Sequence, residues 1–321
     1  MFALVVAGLV ACDSSDTLTP DSSTTPDAID LGDPQDPLSS IEEDTPVPED
    51  DAAIQLIPVD GPALAVAYAG GIPIGSTAQP NSEFNGRYNG ALRNIHPQYL
   101  KNNLSAIKSR GGKVALMMAG PDFLYKDADG HFSLTKWKAR IDRYRNVDFD
   151  SYIKDGTLIA HYLIDEPNDP NNWNGKPIPG TTLDEMARYS KQLWPNMLTV
   201  VRTYPTYLEK WGPYRYVDAA WAQYVNRFGD PDKFIAQHVN SAQRQGLGLV
   251  VGLNILRGGV NKSKMTPTQI KDWGSSLLKS SYPCAFISWK YNSTYFSTSG
   301  VKSAMDYLRS RAENRSFRTC R

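Results

Sequence analysis

No lysine or arginine occurs among the first 86 of the 321 residues, and that gap divides the chain. The same stretch holds 15 of the 34 acidic residues, so the remainder sets all 34 basic residues against 19 acidic ones. A formal net charge of zero therefore conceals a polarised molecule. The cations are scattered with no run of four, which argues for a solvated surface and against a nucleic-acid groove. Histidine is scarce, four in all, with no His-x-x-x-His pair, and the three cysteines include no close pair, so no metal site is expected. No Gly-x-Gly-x-x-Gly follows a strand and no Walker loop is present, so no phosphate cradle and no cofactor are expected. No apolar run is long enough to cross a bilayer as a helix.

What is present begins with Phe2 to Ala11, an apolar stretch the length of a signal-peptide core. It closes on Leu9-Val10-Ala11-Cys12, which resembles the lipobox of bacterial lipoproteins, although no positive residue precedes it. The resemblance implies a signal peptide over residues 1–11 and cleavage before Cys12. Cys12 would then be lipidated and anchor an extracytoplasmic protein to a bacterial membrane, in the periplasm or at the cell surface. Residues 12–57 are Ser, Thr, Asp, Pro and Glu with few apolar side chains, too few to offset the entropy of ordering. They read as a disordered acidic tether, stretched by self-repulsion and proline.

From residue 58 to 321, apolar runs alternate with amphipathic segments. Strands are expected at Ala63–Ala69, Val114–Ala119, Thr157–Asp165, Thr199–Thr203, Val217–Tyr224, Leu247–Leu256 and Ala285–Tyr291. An eighth is expected within the Gly- and Asn-rich segment from Ile72 to Ile95, around Ala91-Leu92-Arg93. Helices fall between them at Pro97–Arg110, Leu134–Tyr144, Thr182–Leu193, Pro231–Gln245, Thr266 onward and Val301–Arg311, two of them opening on capping boxes at Thr182 and Thr266. Alternation of this kind over a length near the ~250 residues usual for the fold predicts an α/β chain, a (β/α)8 TIM barrel behind a disordered N-terminal tether.

The fourth strand, Leu158-Ile-Ala-His-Tyr-Leu-Ile164, ends in Asp165-Glu166-Pro167. Pro167 cannot donate to a ladder, so pairing stops and two carboxylates stand at the strand's C-terminal end, where barrels place their chemistry. This Asp-Glu-Pro resembles the Asn-Glu-Pro that ends strand four in the large clan of barrel glycoside hydrolases. The last strand, Phe286-Ile-Ser-Trp289-Lys-Tyr291, resembles that clan's strand eight. The resemblance implies Glu166 as general acid and Trp289 as a sugar-stacking platform. The clan's nucleophilic glutamate ends strand seven, where this chain has Asn254. An amide cannot replace a carboxylate, so the second group is sought at Asp165, Asp218 or Asp122.

Arg202 at the end of strand five is a costly charge unless paired, and suits fixing a carboxylate or binding substrate. Tyr204, Gln223, Asn254 and Tyr291, at or just beyond strand ends, are further candidates for contact with hydroxyls. Trp173, Trp211, Trp221 and His161 read as packing. Cys284 opens the last strand and Cys320 follows the last helix, which puts both at the barrel's bottom and predicts a disulfide. The combined expectation is a monomeric lipoprotein that hydrolyses or processes a carbohydrate, against the alternative of a glycan-binding or surface-interaction protein without turnover. A purely structural anchored protein would bind no glycan.

Overall fold

The computed structural model describes residues 71–316 and 318–320. Eight parallel strands close a barrel in chain order: β1 (Ile74–Thr77), β2 (Gly90–Arg93), β3 (Lys113–Met117), β4 (Leu158–Asp165), β5 (Thr199–Arg202), β6 (Ala219–Tyr224), β7 (Gly248–Leu253) and β8 (Ala285–Ser288). Closure comes from β8 pairing with β1, Phe286 opposite Ile74. The helices are α1 (Pro97–Lys108), α2 (Leu134–Asp142), α3 (Asp150–Lys154), α4 (Gly180–Leu193), α5 (Pro205–Leu208), α6 (Pro231–Gln245), α7 (Pro267–Lys279), α8 (Ser293–Phe296) and α9 (Ser299–Glu313). The expected (β/α)8 barrel is the architecture found.

The strand expected at Ala63–Ala69 lies outside the described residues, as do Cys12 and the segments expected to be a signal peptide and a tether. The barrel instead starts within the Gly-rich segment, which holds two strands where one was expected. Both are four residues long and carry glycine, so neither has an apolar run to reveal it. Glycine is required at Gly75 because a β-carbon there would lie 1.8 Å from the Gly90 carbonyl oxygen.

Side chains alternate along each strand between two cores. Outward residues such as Leu249, Val251 and Leu253 pack under the helices. Inward residues Leu92, Met117, Tyr162, Val200, Trp221, Val250 and Ile287 fill the barrel. The sequence signals for helix starts hold at α6, where Asp230 caps Asp232 and Lys233, and at α7, where Thr266 and Gln269 form the reciprocal box. The box expected at Thr182 does not form. Pro179 takes the N-cap position of α4, and Thr182 falls inside the first turn with no capping bond from the N-cap side chain.

Cys284 and Cys320 form the expected disulfide, with a Cα–Cα distance of 5.1 Å. It ties the C-terminal segment across the bottom of the barrel so closely that a β-carbon at Gly248 would lie 2.5 Å from the Cys320 carbonyl oxygen.

Candidate active site

The C-terminal end of β4 is shaped by a bulge. His161 and Tyr162 pair with Thr199 and Val200, but the next pair is Asp165 with Arg202, so β4 carries one extra residue. Leu163 and Ile164 consequently both join the outer core, and Asp165 resumes the inward row above Tyr162. Glu166 follows with φ 36°, a left-handed conformation uncommon outside glycine. Three hydrogen bonds hold it there. Its N–H donates to the Arg202 carbonyl at 3.0 Å, and its carbonyl accepts from Asp169 N–H and the Trp173 indole N–H, each at 3.0 Å.

Arg202 ends β5 on the inward row with its side chain only 4% exposed. Its Nη1 donates to Asp165 Oδ1 in a close ion pair, and its Nη2 lies 3.3 Å from Glu166 Oε1. Nε and Nη2 also donate to Gln223 Oε1 at 3.0 and 2.6 Å. Burial alone would push the guanidinium's pKa down, but Asp165 and Glu166 outweigh it and raise it further, so Arg202 stays charged. Gln223, inward on β6, passes the network on by donating from Nε2 to the Leu253 carbonyl at 3.1 Å. The Trp289 ring covers the guanidinium, whose carbon lies 4.9 Å from its centroid. The Trp289–Lys290 peptide bond is cis.

Asn254, one residue past β7, bridges to Trp289 and is buried. Its Oδ1 accepts from Arg257 N–H at 3.0 Å, while its Nδ2 has no hydrogen-bond partner among the described residues. The structure thus gathers Asp165, Glu166, Arg202, Gln223, Asn254 and Trp289 at one mouth. Tyr291 stands at the same rim beside β1, its N–H donating to the Thr77 carbonyl at 3.0 Å. Burial and a bond to Glu83 push its hydroxyl up to about 12. Asp122, just after β3 in a single turn, is engaged with Lys126 in a close ion pair.

Two expected site residues are not part of this group. Asp218 immediately precedes β6, at the opposite end of the barrel. There it accepts from Thr199 N–H at 2.9 Å and pairs with Lys191 at 2.6 Å, which makes it a bottom-rim structural carboxylate. Asp218 is the second residue of the expected strand Val217–Tyr224 and lies just ahead of the observed one, so both bounds put it at the N-terminal rim. Tyr204 turns its ring away into an aromatic cluster, 5.2 Å from His238 and 5.3 Å from Phe228 between centroids. Trp173 is packing, as expected, but also fixes Glu166 through its indole. Tyr162, below Asp165, was not singled out, and its position on the inward row of β4 was the available signal. Burial and the nearby Asp165 raise its hydroxyl well above the usual range, so it stays neutral.

No protein-family model matches the chain, and no curated protein matches it by sequence. Solved structures do match its fold. The endo-beta-1,4-mannanase from Thermotoga petrophila superposes with a TM-score of 0.52 at 13% identity, over 76% of this chain and 77% of that one. ScGas2 in complex with compound 8 gives 0.53 at 9% identity, over 79% and 66%. At these identities the likeness establishes the barrel.

Proposed function

We propose that the C-terminal mouth binds a carbohydrate and that Glu166 hands a proton to the glycosidic oxygen. The observation that carries this reading is the Glu166 backbone. A non-glycine residue at φ 36°, fixed by three hydrogen bonds beside a buried arginine, bears strain of roughly 1–3 kcal/mol that a surface carboxylate has no reason to keep. The two acids divide the work: Asp165 holds Arg202 in the close pair, and Glu166 stands at the longer 3.3 Å contact. Asn254 Nδ2, a donor with no partner among the described residues, suits a sugar hydroxyl, and Trp289, packed on Arg202, supplies an aromatic surface, while Gln223 is taken up by Arg202 and the Leu253 carbonyl. The fold shared with a mannanase agrees with this reading.

One observation favours a second reading, binding without turnover. Asp165 and Glu166 share one guanidinium, so they stand on the same side of the mouth, and β7 offers Asn254 in place of an opposing carboxylate. Hydrolysis ordinarily needs two carboxylates flanking the bond. Polysaccharide panels with the wild type and Glu166→Gln separate the readings. Reducing-end release by the wild type and its loss in Glu166→Gln supports catalysis. Saturable binding by both without release supports the second reading, and release that survives the substitution removes Glu166 as the donor.

We also propose that Cys12 is lipidated and anchors a monomeric extracytoplasmic protein, on the strength of Leu9-Val10-Ala11-Cys12. Cys12→Ser is expected to move the protein from the membrane fraction to the soluble one. An unchanged distribution would remove the anchor.

A further inference from the structure

The wall of the mouth across from Glu166 decides what can attack an anomeric carbon. β8 lies diametrically across the closed barrel from β4, with β7 and β1 on either side of it. Among the described residues, the inward positions at the C-terminal ends of these strands are Thr77, opposite the inward Leu92, Asn254 after β7 and Trp289 after β8. None is a carboxylate, so the wall holds no group of the kind that ordinarily serves as nucleophile or base.

The mouth offers hydrogen bonding instead. Tyr162, on the inward row below Asp165, is 1% exposed and packs edge-on against Trp221 at 5.6 Å between centroids, and its hydroxyl has no partner among the described residues. Asn254 is equally buried, and the bond from Arg257 N–H to its Oδ1 at 3.0 Å fixes Nδ2 as a donor, also without a partner among the described residues. Asp165 gives Oδ1 to Arg202, and a carboxylate accepts more bonds than that one. A buried donor left without an acceptor is costly, so Tyr162 beside Asp165 calls for a group that both accepts and donates. A hydroxyl does both at one atom. A secondary amide does so at two, and its carbonyl oxygen can also supply the nucleophile that the wall lacks.

We propose that the substrate brings its own nucleophile: the mouth takes a sugar whose 2-acetamido group stands trans to the glycosidic oxygen. This rests on the reading of Glu166 as proton donor. The acetamido carbonyl oxygen bonds to the anomeric carbon, from the face opposite the leaving oxygen, as the glycosidic bond breaks. The electron pair of that bond goes to the glycosidic oxygen, which takes the Glu166 proton. Asp165 accepts the amide N–H and offsets the positive charge of the oxazolinium ring, while Tyr162 donates to the carbonyl oxygen and orients it. Asn254 holds a hydroxyl of the same sugar. Water then attacks the anomeric carbon, gives its proton to Glu166, and the ring opens to restore the acetamido group. Two displacements at one carbon retain its configuration.

The test gives the full chain triacetylchitotriose, its fully deacetylated counterpart, cellotriose and mannotriose. The acetylated trimer is expected to be cleaved at least about 100-fold faster than the other three, because its nucleophile is intramolecular. The first product should carry the configuration of the bond that was cut. In the aryl glycoside of N-acetylglucosamine, exchanging acetyl for trifluoroacetyl withdraws electrons from the carbonyl oxygen and should lower kcat about 100-fold, which a merely structural contact would not do. Asp165→Asn should lower kcat on the acetylated trimer about 100-fold and Tyr162→Phe about tenfold, with circular dichroism verifying that each variant is folded. Equal cleavage of unacetylated trimers, lost in Glu166→Gln, leaves the proton donor standing and overturns this proposal alone. Inversion of configuration, or a rate indifferent to fluorine, overturns it as well. No release from any trimer or from the polysaccharide panel removes turnover itself, and the proposal with it.

Discussion

Glycine occupies φ 36° almost freely, whereas a residue with a β-carbon is strained there. Glu166→Gly is therefore expected to be more stable than Glu166→Ala by about 1 kcal/mol, the reverse of the usual order between those residues. Urea denaturation of the two variants measures the difference, and an alanine variant equal to or above the glycine one would mean that the backbone is relaxed. Arg202 makes the complementary case. Removing a buried partner and leaving charges behind costs about 3–5 kcal/mol, and the lower end applies because Asp165 and Glu166 keep 29% and 18% of their side chains exposed. Arg202→Met should lose about 3 kcal/mol, and adding Asp165→Asn should recover part of it. A double variant worse than the single one would show that the pair is not the source.

Helix starts and strand ends were legible where the signal is chemical and local. Thr266, Pro267 and Gln269 announce α7 because the reciprocal side-chain bonds need only three residues to form. Thr182 and Glu185 have the same spacing, but Pro179 starts α4 earlier, and Glu185 turns to Arg188 and Lys138 instead. Thr266→Ala is expected to cost about 1 kcal/mol and Thr182→Ala less than about 0.5 kcal/mol. Thermal melts of both variants test the contrast, which equal losses would refute. β4 was readable from its apolar run and terminal carboxylates, whereas β1 was not, because Ile74-Gly-Ser-Thr77 has the composition of a turn and owes its place to neighbours distant in sequence. Asp218 illustrates the same limit. A carboxylate on a strand does not by its chemistry tell one rim from the other; its position near the start of the apolar segment does, and pairing from Ala219 keeps it at the N-terminal end.

At the scale of the whole molecule the cysteines were the most readable feature, since barrel closure brings the start of the last strand to the end of the last helix. Their disulfide spans a sequence separation of 36, and replacing either cysteine with serine should cost about 3–4 kcal/mol by loosening the unfolded chain. The pH dependence is set by two other buried groups. His161 stacks on Trp137, shares a 2.8 Å hydrogen bond with Ser190, and is held by burial at about 3. His238, packed between Tyr204 and Phe234, is likewise held at about 3. Both lie below the ordinary value of 6.5, so between about pH 3 and 6.5 the unfolded chain binds protons that the folded chain refuses. Stability therefore rises with pH across that window and is lost as pH falls through it. At pH 5 the loss relative to pH 7 is about 2 kcal/mol for each histidine. Carboxylates, which titrate near 4 when unfolded, contribute little above pH 5, so this interval isolates the histidines. Urea unfolding of the wild type at pH 7 and pH 5 should differ by about 4 kcal/mol, and in His161→Phe the difference should halve, whatever that variant's absolute stability. An undiminished difference in His161→Phe would place the acid sensitivity elsewhere in the barrel.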